Sequence, residues 1–195
     1  MIHDRTLACY DGKGKPLKFA DVKTIGVHRI SLALKSDDNP DPIPDADLDA
    51  TELVKRFGKW PLSQITVGRP PYHVLIRANA TATPEQVLPL LIQGAHCKRW
   101  NWRSWGVAVV GDFRERSPAD VQWEILRRVL VDLCGGFREI RAHTDFPTGM
   151  DPASLKSCPG KLLPIEPLIS RVMLCEHTPI DPDPARALEL AGYRL

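Results

Sequence analysis

The chain contains no stretch approaching the roughly 20 consecutive apolar residues of a membrane span, and its start, Met-Ile-His-Asp-Arg, lacks an apolar run of signal-peptide length. Those absences predict a soluble cytoplasmic protein with no membrane insertion. It also lacks a dominant charge. Twenty-six Lys and Arg stand against 24 Asp and Glu, and the net +2 is spread along the chain, so nothing electrostatic argues for nucleic acid or an acidic membrane as partner. No disulfide framework is signalled, because the five cysteines (Cys9, Cys97, Cys134, Cys158 and Cys175) are odd in number and scattered, as free thiols in a reducing compartment would be. No internal repeat or coiled-coil heptad is present, which excludes solenoids and long rods.

What remains is a chain of 195 residues, enough for one substantial core and short for two. Strand-like segments are predicted over 21–30, 72–78, 105–110 and 137–142, the third so continuously apolar that it belongs at the centre of a sheet buried on both faces. Helical spacing of Val121, Ile125, Leu126, Val129, Leu130 and Leu133 follows Ser117-Pro118-Ala119-Asp120 and stops at Cys134-Gly135-Gly136. A shorter helix is predicted through Leu53, Val54 and Phe57, capped by Asp49 or Thr51. The proline-rich acidic segment 36–49 reads as a surface loop, 84–92 as a short helical segment, 162–174 as a helix, and 185–191 as a helix folding back on the domain. Residues 1–21, with the turn signal Asp11-Gly12-Lys13-Gly14, read as an arm or hairpin.

Reactive side chains gather late in the sequence. His143 ends the strand pattern of 137–142, and Lys156-Ser157-Cys158-Pro159-Gly160 sets a thiol in a Pro-Gly turn with a lysine two residues before it. Such a pair suggests a metal site, and His28, carried by the run Thr24-Ile25-Gly26-Val27-His28, is the candidate third ligand. Many intracellular chains carry as much without a metal, and a histidine satisfied in the core is the competing reading of His28.

The surrounding words carry more weight. Val27-His28, Pro71-Tyr72-His73-Val74-Leu75-Ile76, Gly94-Ala95-His96-Cys97-Lys98-Arg99-Trp100-Asn101, Ser104-Trp105-Gly106-Val107-Ala108-Val109-Val110-Gly111-Asp112-Phe113 and Lys156-Ser157-Cys158-Pro159-Gly160 follow one another in an order that resembles the type 2 N-acetylmuramoyl-L-alanine amidase family. That family includes phage amidase lysozymes and peptidoglycan recognition proteins. The resemblance spans about 22–162, leaving 1–21 as an N-terminal arm and 163–195 as a C-terminal extension of a single amidase-like domain. It departs from the family at His143-Thr144-Asp145, where His-Arg-Asp is usual, and in a longer loop between His143 and Cys158.

The resemblance implies a three-layer α/β domain, a central mixed β-sheet flanked by helices with a Zn2+ site at the strand ends. It implies His28, His143 and Cys158 as zinc ligands, Tyr72 and Lys156 as catalytic residues, and His96 and Asn101 on the substrate side, with bracing of the loop as the alternative for His96. The implied activity is hydrolysis of the amide joining the lactyl group of N-acetylmuramic acid to L-alanine, in peptidoglycan or a muropeptide, by a chain expected to be monomeric. A non-catalytic peptidoglycan-binding module is the alternative. No separate wall-binding module is visible, so a cytoplasmic enzyme would reach the wall through a holin, as an endolysin does, or act on released fragments.

Overall fold

The computed structural model describes residues 16–31, 44–57, 71–78, 84–97, 99–135, 138–147, 158–166, 169 and 183–195. Five strands form one sheet: β1 (Thr24–Ile30), β2 (Val74–Ile76), β3 (Pro84–Gln86), β4 (Ser104–Val110) and β5 (Glu139–Ala142), in the order β3-β2-β4-β1-β5. β2, β4, β1 and β5 run parallel and β3 pairs antiparallel with β2, which makes the sheet mixed.

Side chains alternate across a strand, and here the alternation sorts the molecule into layers. Ile25 and Val27, Val74 and Ile76, Trp105, Val107 and Val109, and Ile140 and Ala142 pack on one face with Leu126, Leu130 and Leu133. Those leucines belong to α2 (Asp120–Cys134). On the opposite face Leu75, Ala108 and Val110 meet Leu48, Ala50 and Leu53, the last two from α1 (Ala50–Phe57). The expected central mixed sheet with helices on both faces is therefore present, and the apolar run of β4 lies at its middle, every residue buried.

Local chemistry fixes the helix ends. Asp49 Oδ1 accepts from the N–H of Glu52 at 2.8 Å, and Glu85 Oε2 from that of Ala50 at 2.9 Å, so two carboxylates meet the donors that open α1. At the start of α2, Gln122 Oε1 accepts from Ala119 N while its Nε2 donates to Val110 O and Arg77 O, fastening the helix to the ends of β4 and β2. Gly135 ends α2 at φ 54°, in the left-handed region where glycine is unstrained. A final helix, α3 (Pro184–Leu190), is capped by Asp183 Oδ1, and Leu188 and Tyr193 bury themselves in the α2-side core.

Three expectations change. Residues 84–86, expected to be helical, form edge strand β3, where Pro84 is tolerated. Only 44–49 of the predicted surface loop are described, and they are not simply exposed: Leu48 is 0% exposed, and buried Asp45 accepts from Ser31 Oγ and pairs with Arg116. The strand expected over 72–78 is confined to Val74–Ile76. Residues 1–15 and most of the predicted 162–174 helix lie outside the described residues.

Candidate metal centre

Strand register creates the site. β1 and β5 run parallel with Val27 opposite Ala142, so the next residues along, His28 and His143, are brought side by side, their ring centroids 4.4 Å apart. His143 opens a 3-10 turn (His143–Asp145) whose Asp145 Oδ2 accepts from Ala142 N at 3.2 Å, setting the direction in which the histidine leaves the sheet. Cys158 is tied to both ends of this pair. Its carbonyl accepts from Thr144 N at 3.2 Å, and its Sγ accepts from Arg29 N at 3.5 Å.

The turn that presents Cys158 is held from behind. The Cys158–Pro159 peptide is cis, and Gly160 follows at φ +110°. A Cβ at Gly160 would stand 2.6 Å from the backbone carbon of Phe113, so the position requires glycine twice over, for its conformation and for the close approach. Leu162 N donates to Phe113 O at 2.9 Å and completes the fastening. A cavity of about 280 Å³ opens beside Cys158, with Thr144, Asp145, Lys161 and Glu166 in its wall.

One ligand atom from each of His28, His143 and Cys158 lies within 4.8 Å of the other two. Around a tetrahedral zinc ion with N and S ligands, donor atoms stand about 3.3–3.8 Å apart, so closing on an ion needs only small side-chain movements. The chemistry fits as well: two imidazoles and a thiol suit zinc, and no fourth His, Cys, Asp or Glu joins the group among the described residues, which is the donor count of an open site. Burial lowers the pKa of His28, with the neighbouring His143 and His96 adding to it, and burial lowers that of His143 too. Both imidazoles are therefore neutral with a lone pair to give. Burial raises the Cys158 thiol, opposed by the Arg29 N–H and the Arg29 charge, so without a cation the site keeps its proton and with one it releases it.

Around these three, Tyr72 packs its ring 5.1 Å from that of His28. Burial pushes its phenol well up, helped by the charge of Cys158, so it remains a neutral hydroxyl. Lys156 lies outside the described residues. His96 is only 6% exposed: Nδ1 faces His28 Nε2 at 3.1 Å, and Nε2 faces Ser104 O at 3.2 Å. Asn101 Oδ1 accepts from Cys97 N at 2.7 Å and closes the 97–101 loop. His73, fully buried, accepts from Gly106 N at Nδ1 and donates from Nε2 to Ile92 O, a structural use of its ring. Trp105 is core and Trp102, 53% exposed, is surface.

Sequence reasoning missed two features. Arg29, next to His28, pairs with Asp112 at 3.0 Å, and Asp112 is held down to about 2, chiefly by its hydrogen bond to Arg114. Gly26 and Gly106 face each other across β1 and β4, leaving a bare patch of sheet under His28 and His96. The visible signal was an isolated glycine inside each of two strand patterns, which marks a close approach.

Known proteins share the family pattern and the fold. The family described as N-acetylmuramoyl-L-alanine amidase matches residues 20–161. Among solved structures, the amidase LysC from Clostridium intestinale URNW superposes with a TM-score of 0.59 at 19% identity, covering 82% of this chain and 91% of that one. The Ph2119 endolysin of a Thermus scotoductus MAT2119 bacteriophage gives 0.57 at 17%, covering 88% and 99%. Peptidoglycan recognition protein-LE, in complex with tracheal cytotoxin, a monomeric diaminopimelic acid-type peptidoglycan, gives 0.53 at 16%, covering 76% and 79%. No curated protein matches the chain in sequence.

Proposed function

Because the chain belongs to the N-acetylmuramoyl-L-alanine amidase family, we propose that it is a zinc-dependent hydrolase of the amide between the lactyl group of N-acetylmuramic acid and L-alanine, in peptidoglycan or its fragments. The observation that carries the reading is the convergence of His28, His143 and Cys158 at one point beside Tyr72. Zinc in a three-ligand site supplies Lewis acidity, polarising an amide carbonyl and making water a stronger acid. His28, His143 and Cys158 would hold it.

The remaining work falls to the chain's own side chains. Water adds to the lactyl carbonyl carbon, the C–N bond breaks, and the products are a lactyl carboxylate and the free amino group of L-alanine. Tyr72, a neutral phenol at this position, orients the water and passes its proton. Lys156, two residues from the thiolate in sequence, brings an ammonium to the negative charge that develops on the carbonyl oxygen.

Mass spectrometry of products from intact sacculi and from soluble muropeptides tests the reading, with Cys158→Ser as control. Release of stem peptides with a new L-alanine amino terminus, lost in the control, is expected. Zinc-loaded protein that binds fragments and cuts neither substrate would replace the enzyme by a recognition module.

A further inference from the structure

The mechanism leaves the buried imidazole of His96 unused, and its hydrogen bonds can be assigned by elimination. A carbonyl oxygen only accepts, so the 3.2 Å contact between His96 Nε2 and Ser104 O requires the proton of His96 to sit on Nε2. Ser104 Oγ also approaches that nitrogen at 3.2 Å while its own proton goes to Trp100 O at 2.7 Å, so it offers a second acceptor to the same N–H. A neutral imidazole with its proton on Nε2 has a bare lone pair on Nδ1. That lone pair faces His28 Nε2 at 3.1 Å, so His28 must be the donor.

His96 is only 6% exposed, and its hydrogen-bond partners among the described residues, His28 and Ser104, include no carboxylate that would favour a second ring proton, so the donors run in one direction. The run goes from His28 Nε2–H to His96 Nδ1, and from His96 Nε2–H to Ser104 O. It leaves His28 one nitrogen, Nδ1, with an unshared pair.

We propose that His96 is a positioning residue for the metal centre: it fixes the Nε2–H tautomer and the ring plane of His28, so that Nδ1 of His28 is presented to the ion. This rests on the zinc reading above and extends it from the ligands to the residue behind one of them. The glycine pair supports the assignment. A Cβ at Gly106 would stand 2.6 Å from His96 Cγ, and one at Gly26 would stand 3.1 Å from His28 Nε2, so the two rings meet over sheet stripped of side chains. Such outer partners of a ligating histidine typically contribute about 10- to 100-fold in metal affinity. This use of His96 at the ligand needs no contact with the glycan or peptide.

The test compares wild type, His96→Phe and His96→Asn in the full chain. His96→Phe keeps a ring without an acceptor, and His96→Asn puts a carboxamide oxygen near the place of Nδ1. Zinc affinity is measured by competition with a chromophoric chelator, and imidazole tautomers by nitrogen-15 NMR, with and without zinc. Expected are a proton on Nε2 of both His28 and His96 in the wild type, zinc binding weakened about 10- to 100-fold in His96→Phe, and recovery of most of that loss in His96→Asn. His28 protonated on Nδ1 in the wild type, or zinc bound as tightly by His96→Phe, overturns the proposal. A wild-type chain that takes up no zinc would overturn the metal reading instead, and the tautomer measurement would still decide this proposal without it.

Discussion

Gly106→Ala puts the floor of the site under direct strain. The new methyl would stand 2.6 Å from Cγ of His96 and 3.0 Å from its Cβ and Cδ2. Carbon atoms in contact settle at about 3.5–4.0 Å, so the ring must retreat by about 1 Å. A retreat of that size takes the 3.1 Å contact with His28 beyond hydrogen-bond reach. Overpacking of this kind costs about 1–3 kcal/mol, and each kcal/mol lowers Tm by about 2–4 °C in a chain of this length. Thermal unfolding followed by circular dichroism reads the loss, and chelator competition reads the accompanying fall in zinc affinity. The decisive comparison adds His96→Ala. With the ring gone the methyl has room, so the double variant should be less destabilised than the sum of the single ones by about 1 kcal/mol or more. Strict additivity would mean that the methyl and the ring never met, and the account of the glycine floor would fall.

Cys158→Ser should lose most of its zinc by metal analysis, whereas Cys134→Ser, whose sulfur is buried and donates to Arg138 O at 3.0 Å, should retain it; equal zinc in both would remove Cys158 from the site. Tyr72→Phe and Lys156→Ala should keep zinc and fold, and Lys156→Ala should lower turnover by about 10²- to 10³-fold with much less change in substrate affinity; near wild-type rates for both zinc-loaded variants would reassign the chemistry. The metal-free protein should lose stability in acid. His73, buried and accepting from Gly106 N, titrates at about 4 in the fold against 6.5 unfolded, so its contribution is complete above pH 6.5 and falls away as the pH drops through 6.5 towards 4, about 3 kcal/mol at most. Urea unfolding at pH 7 and pH 4.5 should show a smaller pH effect in His73→Asn than in the wild type, and an identical one would clear His73 of any part in it.

The residues that announce themselves in sequence do so through local pattern. β4 is a run of apolar residues because both of its faces are covered, and α2 keeps helical spacing because one face is. β3 has no such signature. Its Pro-Glu-Gln is a strand only because β2 lies beside it, and its polar side chains are buried for long-range reasons: Glu85 takes the first N–H of α1, and Gln86 exchanges two 2.7 Å hydrogen bonds with the backbone of Arg194. Leu48 likewise sits in a segment whose prolines and acids suggest exposure, until α1 folds it onto the sheet. The three candidate ligands were legible because each ends or opens a recognisable word. The partnership of His28 and His96 was not, since a hydrogen bond between residues 68 apart leaves no periodicity in either neighbourhood.

The strand order also sets a schedule for the newborn chain. β1 is made first of the five, yet both of its neighbours, β4 and β5, come from much later sequence, with Thr24 opposite Ser104 on one side and Glu139 on the other. At the usual pace of translation, the interval between completing β1 and completing β4, the earlier of the two, is on the order of ten seconds. Throughout it, a strand destined to be almost wholly buried has neither edge paired, a state in which other chains can pair with it. Cys158 emerges later still, so metal cannot hold the early part of the chain in place while the rest is made. On the proposed reading, zinc can only seal a sheet that has already closed.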